Sequence, residues 1–489
     1  MVRVILSAPD GEALDPTPDE RLAELTLVAS SPGTPVEVAR RRVAGERRLS
    51  FGEIAARPGI RLSVLATAAS GRLLGFGRSA APVDVKAGDD LEITVELRRP
   101  FAYIGGGPNL LVADTTLDSP AYQGQVALAG PVAAAPFPDG SHVLVAAGDV
   151  LRLVSTFTHV PVEQASPPAL AGVTDLAVSP DGRHAVALTA EGAAVIDLVA
   201  LRAGQAVTPV MVPIPGAARV AIGAQVAYVL AGVDPVRCDV MSRIVRIPLD
   251  APAAMPDVAL GMPVLDLAVD PATEELYVPL PCQGRVNRVR IVGDAAEMET
   301  VLMVPTPGSV AVGEGRIWAV GAEPIGNGQR LVIASVGTDG TGSTRVDMPV
   351  TEERATSTEL DEPGHSAEMR LEADELYPTS LTVLPDGRQV ALLVRAKFHA
   401  AKTIEPVEVL PGVFVDEVIL PEMDIDTSEY LLIDTAAVTL VHRLRTRCDL
   451  TWLMGEAFID IWACGRAPGQ DVVADPFTPR GLAVLYGER

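Results

Sequence analysis

A motif built around a Pro-Asp-Gly turn recurs along this chain of 489 residues. In its clearest copy an apolar run precedes Pro180-Asp181-Gly182, and a second apolar run, Ala185–Leu188, follows. Similar copies surround Pro138-Asp139-Gly140 and Pro385-Asp386-Gly387. A unit of strand, turn, strand, turn and strand that repeats at a fixed period is typical of a β-propeller. The repeat therefore predicts an all-β fold, with α-helix below about 15% of the residues.

The repeats are counted by their first, innermost strand. Six such strands start near these residues: Val132, Val173, Arg219, Val264, Ser309 and Leu381. A seventh unit is split, because Pro479–Tyr486 has the pattern of an inner strand while Ala102–Gly105 and Leu110–Asp114 match a second and a third strand. Joining these pieces closes the ring and removes exposed sheet edges. Residues 100–489 are thus predicted to form a seven-bladed β-propeller closed by the C-terminal strand 479–489, with six or eight blades as alternatives.

Residues 1–99 do not follow the repeat pattern. They contain about seven short candidate strands, which is the number expected of an immunoglobulin-like or fibronectin-like β-sandwich. In the run from Leu91 to Leu97, apolar and polar residues alternate strictly. Alternation with one wet face is typical of antiparallel sheets. We therefore predict an antiparallel Ig-like β-sandwich over residues 1–99.

The charge balance limits the partners that such a chain can have. The formal net charge is −24, which repels a nucleic-acid backbone, so we expect no nucleic-acid binding. No run of about 18 apolar residues occurs, so no transmembrane segment is predicted. The start, Met1–Ser7, has the pattern of a strand rather than of a signal peptide. The chain is therefore either cytoplasmic or the mature form of an exported protein, and an upstream lipid anchor is compatible with the second alternative.

Four cysteines favour export. Cys238 and Cys282 follow the second strands of neighbouring repeats, and equivalent loops of neighbouring blades lie side by side, within reach of a disulfide. Cys448 and Cys464 bracket one insertion and are expected to pair with each other. Free thiols and a metal site are the alternatives. Two disulfides predict an oxidising, extracytoplasmic location, in the periplasm or on the outer cell surface.

Two long insertions interrupt the repeat, and long loops on a rigid scaffold are often functional. Thr351–Tyr377 is rich in acids, and its candidate interaction residues are Glu359, Asp361, Glu362, Glu372, Asp374 and Glu375. Ala401–Tyr430 carries Asp424 and Asp426, which are spaced like the start of a calcium loop. The glycine that an EF-hand turn needs is absent there, so Ca²⁺ is only a weak expectation and no other cofactor is predicted.

No linear catalytic motif is found, and the histidines lack metal-ligand spacing. The Asp of each Pro-Asp-Gly turn has a structural role, capping backbone amides while the glycine takes a positive φ. No catalytic residue is therefore predicted. Enzyme activity remains uncertain, because propeller active sites combine isolated residues from several blades.

The chain resembles the bacterial seven-bladed repeat propellers of the broad YncE/YVTN-like group. The residues that carry this resemblance are Leu176–Gly182 with Ala185–Leu188, and the degenerate copy Leu267–Pro271 with Leu276–Val278. The group is usually exported and includes scaffolds, surface proteins and some enzymes. None of its catalytic residues has a matching motif in this sequence, so the resemblance implies the fold and an exported location rather than a reaction.

These features together favour a non-catalytic extracytoplasmic binding or scaffold protein that holds a protein or a small ligand on an acidic face. Two alternatives remain open, namely a propeller hydrolase or lyase with its site in the central funnel, and a structural subunit of a surface assembly. The acidic insertions and the Cys238–Cys282 bridge are expected on one face, opposite the Pro-Asp-Gly turns. That face is predicted to meet a cationic partner or divalent ions.

Overall fold

The computed structural model shows a chain built almost entirely of β-strands. It describes residues 2–7, 22–30, 37–42, 48–51, 56–69, 73–79, 83–97, 99–105, 109–114, 122–128, 131–138, 140–156, 158–163, 168–233, 238–271, 273–313, 315–326, 328–357, 366–384, 387–401, 403–420, 423–452 and 481–487. Within these ranges, helix is limited to the five-residue α1 (Leu198–Arg202) and a 3₁₀ turn at Pro281–Gln283. None of the described helices has the length and apolar character needed to cross a bilayer.

Two sheets form the N-terminal part. Their strands are β1 (Val2–Ser7), β2 (Leu22–Ser30), β3 (Glu37–Arg42), β4 (Arg48–Phe51), β5 (Arg57–Ala68), β6 (Leu73–Arg78), β7 (Val83–Val85) and β8 (Leu91–Glu96). One sheet has the order β4-β1-β8, and the other has the order β3-β2-β5-β6 with β7 paired to β5.

The antiparallel prediction for the strand at Leu91–Leu97 is wrong, because β8 pairs with β1 in parallel, from Val2 opposite Leu91 to Ser7 opposite Glu96. Alternation of apolar and polar residues reports that one face of a strand is buried. It carries no information about the direction of the neighbouring strand.

The larger N-terminal sheet buries residues on both of its faces. Its inner face packs against the other sheet in a cluster that includes Leu27, Leu62 and Val95. Its outer face places Leu65 and Phe76 in a second cluster, shared with strands from the two ends of the repeat region. Period-two alternation along β5 makes this division, because Leu62 and Val64 point one way and Leu65 the other.

Antiparallel sheets of consecutive strands follow along the chain, as the repeat predicts. Five of them have strands in sequence order: β12 (Pro131–Pro136), β13 (His142–Ala147) and β14 (Val150–Ser155); β15 (Asp175–Val178), β16 (His184–Thr189), β17 (Gly192–Asp197) and β18 (Val210–Pro213); β19 (Ala217–Ile222), β20 (Val226–Ala231), β21 (Arg243–Pro248) and β22 (Val258–Ala259); β23 (Ala268–Val269), β24 (Leu276–Leu280), β25 (Arg285–Val292) and β26 (Ala295–Met303); and β27 (Pro307–Gly313), β28 (Arg316–Ile325), β29 (Gly328–Gly337) and β30 (Thr344–Pro349).

The last repeat sheet, as we call the one that follows, contains β33 (Glu375–Val383), β34 (Gln389–Ala400), β37 (Met423–Asp434) and β38 (Thr439–Trp452). The closing sheet joins both ends of the repeat region and has the order β11 (Tyr122–Ala127), β10 (Asn109–Asp114), β9 (Arg99–Gly105) and β39 (Gly481–Gly487). β39 runs antiparallel to β9, with Leu482 opposite Ile104 and Leu485 opposite Phe101. The C-terminal strand is therefore the inner strand of a sheet whose other strands lie near residue 100.

The turn after an inner strand shows why the repeat folds this way. The Asp181 carboxylate accepts hydrogen bonds from the Ser179 hydroxyl and from the Arg183 backbone N–H at 3.0 Å. Gly182 has φ +70°, which a residue with a side chain rarely adopts. Gly140 and Gly387 have φ +70° and +60° at the equivalent positions and make the same backbone hydrogen bond, so the backbone turn recurs. Asp139 and Asp386 lie outside the described residues.

Neighbouring sheets pack face to face through separate apolar clusters. One cluster joins the β12 and β15 sheets through Ala135 and Leu176, and the next joins the β15 and β19 sheets through Ala177 and Val220. In both clusters an alanine on one inner strand is grouped with a larger apolar residue on the next, and small side chains allow inner strands to approach closely.

Both insertions fold as β-hairpins rather than as irregular loops. The first, between β30 and β33, contains β31 (Thr351–Ser357) paired with β32 (Ser366–Glu372). The second, between β34 and β37, contains β35 (Thr403–Leu410) paired with β36 (Val413–Leu420). β31 contacts β36, so the two hairpins are neighbours.

Antiparallel pairing determines which connections share an end of the sheets. In each repeat sheet the start of the first strand and the link from second to third strand lie at one end, and in the four-stranded sheets the exit of the fourth strand lies there too. We call this the connection end. It carries both insertion hairpins and the loops that contain Cys238 and Cys282, whereas the Pro-Asp-Gly turns lie at the opposite end.

Candidate functional site

The last repeat sheet carries a row of basic side chains at the connection end. Arg395, Lys397 and His399 alternate along β34 with the buried Ala396 and Phe398. Because side chains two apart on a strand share a face, the three basic groups point away from the core together. β34 ends at Ala400, shortly before the second insertion hairpin, which starts at residue 403.

Acidic side chains on both neighbouring strands pair with this basic row. Glu375 on β33 lies 3.0 Å from the Lys397 ammonium group. On β37, the Asp426 carboxylate accepts two hydrogen bonds from the Arg395 guanidinium, one of them 2.9 Å long. We call these groups the charge ladder; its members are Glu375, Arg395, Lys397, His399, Asp424 and Asp426.

The ladder perturbs the ionisation of its members. Hydrogen bonds from Tyr377 and Lys397 lower the pKa of Glu375, while the Glu375 carboxylate raises the pKa of Lys397. Asp426 likewise raises the pKa of Arg395. These shifts favour the charged forms of Glu375, Arg395 and Lys397, so oppositely charged groups are paired along the ladder.

Asp374, directly before β33, behaves differently. Burial raises the pKa of its carboxyl, and the neighbouring Asp424 and Glu375 carboxylates add to this, although the His399 backbone N–H opposes it. Its Oδ2 atom is buried without a hydrogen-bond partner. The carboxyl directly before β33 therefore binds its proton more tightly than an ordinary aspartate does.

Asp424 and Asp426, the two acids expected at a weak calcium site, lie within strand β37 and not in a loop. The Nδ1 atom of His399 lies 2.7 Å from an Asp424 carboxylate oxygen, and Asp426 pairs with Arg395. Within the ranges that the structure describes, no group of three metal-ligating side chains is found. The calcium site stays a prediction that the described geometry does not support.

The structure brings together several of the predicted interaction residues. Asp374 and Glu375 lie at the ladder, and Glu372 is exposed at the end of β32. Glu359, Asp361 and Glu362 fall between β31 and β32 and lie outside the described residues. Two acids proposed for interaction and two proposed for metal binding thus meet on one sheet, at the root of both hairpins.

A second ion pair anchors the first hairpin to the same sheet. The Glu429 side chain is only 1% exposed and accepts hydrogen bonds of 2.7 Å from Nε and Nη2 of Arg443. The remaining guanidinium nitrogen donates to the Thr351 carbonyl oxygen at 2.6 Å. Because Thr351 begins β31, the buried pair fixes where that hairpin leaves the sheet.

A disulfide joins Cys238 and Cys282, the pairing expected from the sequence, with 6.0 Å between the Cα atoms. Both residues are exposed in loops at the connection end. Cys448 lies within strand β38, opposite Thr427. Cys464 lies outside the described residues, and the Cys448–Cys464 bridge stays a prediction.

Sequence reasoning missed a polar cluster at the start of the inner strands. The Asp175 carboxylate accepts a hydrogen bond of 2.8 Å from the Val220 N–H of the next inner strand. The Asp266 carboxylate does the same for Val310, at 3.0 Å, and also accepts a bond of 2.6 Å from the Ser309 hydroxyl. We call these three polar residues, together with Arg219, the inner-strand cluster.

Arg219 occupies the equivalent position between the two acids. Its Nε atom lies 3.9 Å from an Asp266 carboxylate oxygen, and its side chain is 38% exposed. Burial raises the pKa of Asp175 to about 6, and Asp266 adds to this, while Arg219 and the Val220 N–H oppose it. Asp175 therefore titrates much closer to neutral pH than an ordinary aspartate does.

The signal for this cluster is present in the sequence. The tetrapeptide Asp-Leu-Ala-Val occurs at 175–178 and again at 266–269. Asp175 contrasts with Ala133 and Ser380, which occupy the equivalent register position beside the second strand in other sheets. The apolar periodicity predicts the strands after Asp175 and Asp266. Only the contacts between sheets show that these two carboxylates bind the next inner strand.

Comparison with known proteins gives no family for this chain. No protein-family model matches it, and no curated protein matches it. Among solved structures, the chain is similar to Kuenenia stuttgartiensis hydrazine synthase, at 13% identity over 65% of this chain and 96% of that one, with a TM-score of 0.40. It is also similar to a chain of a nidogen/laminin complex, at 9% identity over 50% and 92%, with a TM-score of 0.33. Similarities this low carry no functional information.

Proposed function

We propose that residues 100–489 form a closed ring of seven blades. Each inner strand contacts the next in the order β39, β12, β15, β19, β23, β27, β33, and β33 contacts β39 again. A separate apolar cluster supports each step of this order, including one between the closing sheet and the β12 sheet. The two N-terminal sheets, which share one core over residues 1–99, support an immunoglobulin-like sandwich in front of the ring.

The function that this architecture favours is non-catalytic binding or scaffolding outside the cytoplasm, with the connection end as the binding surface. One observation carries the proposal: two adjacent insertion hairpins rise from the connection end, where a charge ladder and a buried Glu429–Arg443 pair fix their roots. Rigid support beneath exposed loops is the usual construction of a binding surface. The exposed Cys238–Cys282 disulfide supports an oxidising location.

The partner class follows from charge. The first hairpin contains Glu352, Glu353, Glu368 and Glu372 against Arg354 and Arg370. The ladder neutralises its own acids, so the surplus negative charge resides in the hairpins and not at their roots. We therefore propose a protein or small ligand with cationic groups as the partner of the connection end.

An oligolysine peptide tests this proposal as a defined cationic probe. We expect binding that weakens strongly between about 50 mM and about 500 mM salt, because exposed charges are screened. Glu368→Gln combined with Glu372→Gln should weaken binding. A matched control, Asp250→Asn with Glu297→Gln, changes the net charge equally at the opposite end and should leave binding unchanged. Salt-independent binding, or equal effects of both double variants, would rule the charged face out.

A catalytic function in the central funnel remains the second candidate, because the Asp175 carboxyl titrates near pH 6 at the inner end of the ring. Perturbed carboxyls are over-represented in active sites. The hydrogen bond to Val220 gives the same carboxyl a structural task, so we rank this candidate below binding. A funnel-bound ligand that protects Asp175 from carbodiimide labelling would reverse that order.

A further inference from the structure

The second insertion hairpin ends in an apolar tip. Pro411 and Gly412 form the turn, and Gly412 has φ +77°, which suits the third position of a type II turn after proline. The side chains around this turn are large, apolar and open to solvent: Leu410 is 65% exposed, Val413 48%, Phe414 61% and Val415 50%. We call these four residues the apolar tip.

Both faces of the hairpin are exposed to solvent at the apolar tip. Consecutive residues of a strand point to opposite sides, yet Val413, Phe414 and Val415 are all about half exposed or more. Hairpins in a folded domain normally bury one face. The end of this hairpin therefore projects from the connection end, while β36 contacts β31 of the first hairpin.

A projecting apolar tip has an energetic cost that a binding role offsets. Contiguous exposed apolar patches mark interaction sites more often than scattered single residues do. Phenylalanine is also among the aromatic residues enriched in the central, desolvated part of interfaces. Phe414, exposed at the end of an otherwise acidic hairpin, has the character of an anchor.

Charge decides which partner fits. The strands below the tip contain Glu405 and Glu408 on β35, and Asp416 and Glu417 on β36. These acids would be repelled by an anionic lipid surface. We propose that the apolar tip inserts into an apolar groove, rimmed by cationic side chains, on a protein partner. This inference rests on the proposed function, which supplies the connection end as the binding surface.

The test uses a synthetic amphipathic helix with a leucine face flanked by lysines, and oligolysine as a probe of charge alone. By fluorescence anisotropy, the whole protein should bind the leucine–lysine helix at least about tenfold more tightly than oligolysine of equal charge, the difference expected when one anchor is buried. Phe414→Ser should abolish that difference and leave oligolysine binding unchanged.

Met303→Ser is the matched control, because Met303 is 64% exposed on a different sheet; it should change neither affinity. Equal binding of the helix by the Phe414→Ser variant and the unaltered protein would overturn the inference, while retained oligolysine binding would leave the proposed function intact. If the unaltered protein binds neither the leucine–lysine helix nor oligolysine, both the inference and the proposed function are refuted. Tip-dependent binding to phosphatidylglycerol vesicles, or tip-dependent dimers in sedimentation, would replace the protein groove with a membrane or a second copy.

Discussion

Replacing Asp175 with asparagine isolates the cost of burying one carboxylate between neighbouring inner strands. The folded-state pKa is about 6, against an ordinary value of 3.8. The folded chain therefore holds this proton more tightly than the unfolded chain does between those two pH values. The associated stability is fully present below pH 3.8 and is lost as the pH rises through about 6.

The magnitude follows from the shift. A shift of about two pKa units corresponds to about 3 kcal/mol, and partial access of water to the inner-strand cluster reduces this to about 1–3 kcal/mol. Asparagine keeps an oxygen that accepts the Val220 N–H but carries no charge. Asp175→Asn should therefore raise the free energy of unfolding at pH 8 by about 1–3 kcal/mol and leave it nearly unchanged at pH 4.

Urea unfolding at a series of pH values measures this effect. Asp175→Ala is the matched control, since it also removes the charge but leaves the Val220 N–H without its acceptor, and it should be less stable than Asp175→Asn at every pH by about 1–3 kcal/mol. Asp181→Asn gives the opposite sign: although burial opposes it, hydrogen bonds from Ser179 and Arg183 lower the pKa of Asp181, so the variant should lose stability at pH 8. A destabilised Asp175→Asn at pH 8 would refute the expected sign, because attraction to Arg219 would then outweigh the cost of burial.

Three further predictions concern how the ring is held together. Replacing Cys238 and Cys282 by serine should lower the free energy of unfolding by about 2–4 kcal/mol, and an unchanged urea midpoint would mean that the bridge constrains nothing. Deleting residues 481–489 removes the strand paired with β9 and should cause aggregation, seen by light scattering; a soluble, equally stable truncation would contradict ring closure. Phe76→Ala should cost about 2–4 kcal/mol because Phe76 is 7% exposed within the cluster at the ends of the repeat region, whereas Phe414→Ala, at the exposed tip, should stay within about 0.5 kcal/mol.

The repeat region was predictable because its signals are local. Gly182 must take a positive φ where it stands, and the apolar run after it must form a strand, whatever lies elsewhere in the chain. Even closure by the C-terminal strand follows from counting which strand each end of the repeat lacks. The direction of β8 was not predictable, since a strand paired with β1 in either direction buries the same alternate residues.

The charge ladder shows what sequence alone leaves out. The acids of the insertions were visible, but the partner of each depends on strand register, which places Glu375 opposite Lys397, and Lys397 opposite Asp426. A shift of one residue would send every one of these side chains to the other face. Acids that look like surplus charge along the sequence are, in part, matched charge within the sheet.

Links between neighbouring sheets at the connection end explain why the insertions can be acidic and apolar while the sheets beneath them stay ordered. Asp175 and Asp266 each tie one inner strand to the next by a bond to a backbone N–H, and the Cys238–Cys282 bridge ties the loops of neighbouring sheets. These links lie at the same end as the hairpins and cross between sheets. They tie neighbouring sheets together beneath the hairpins, so that Phe414 is exposed above sheets that keep their packing.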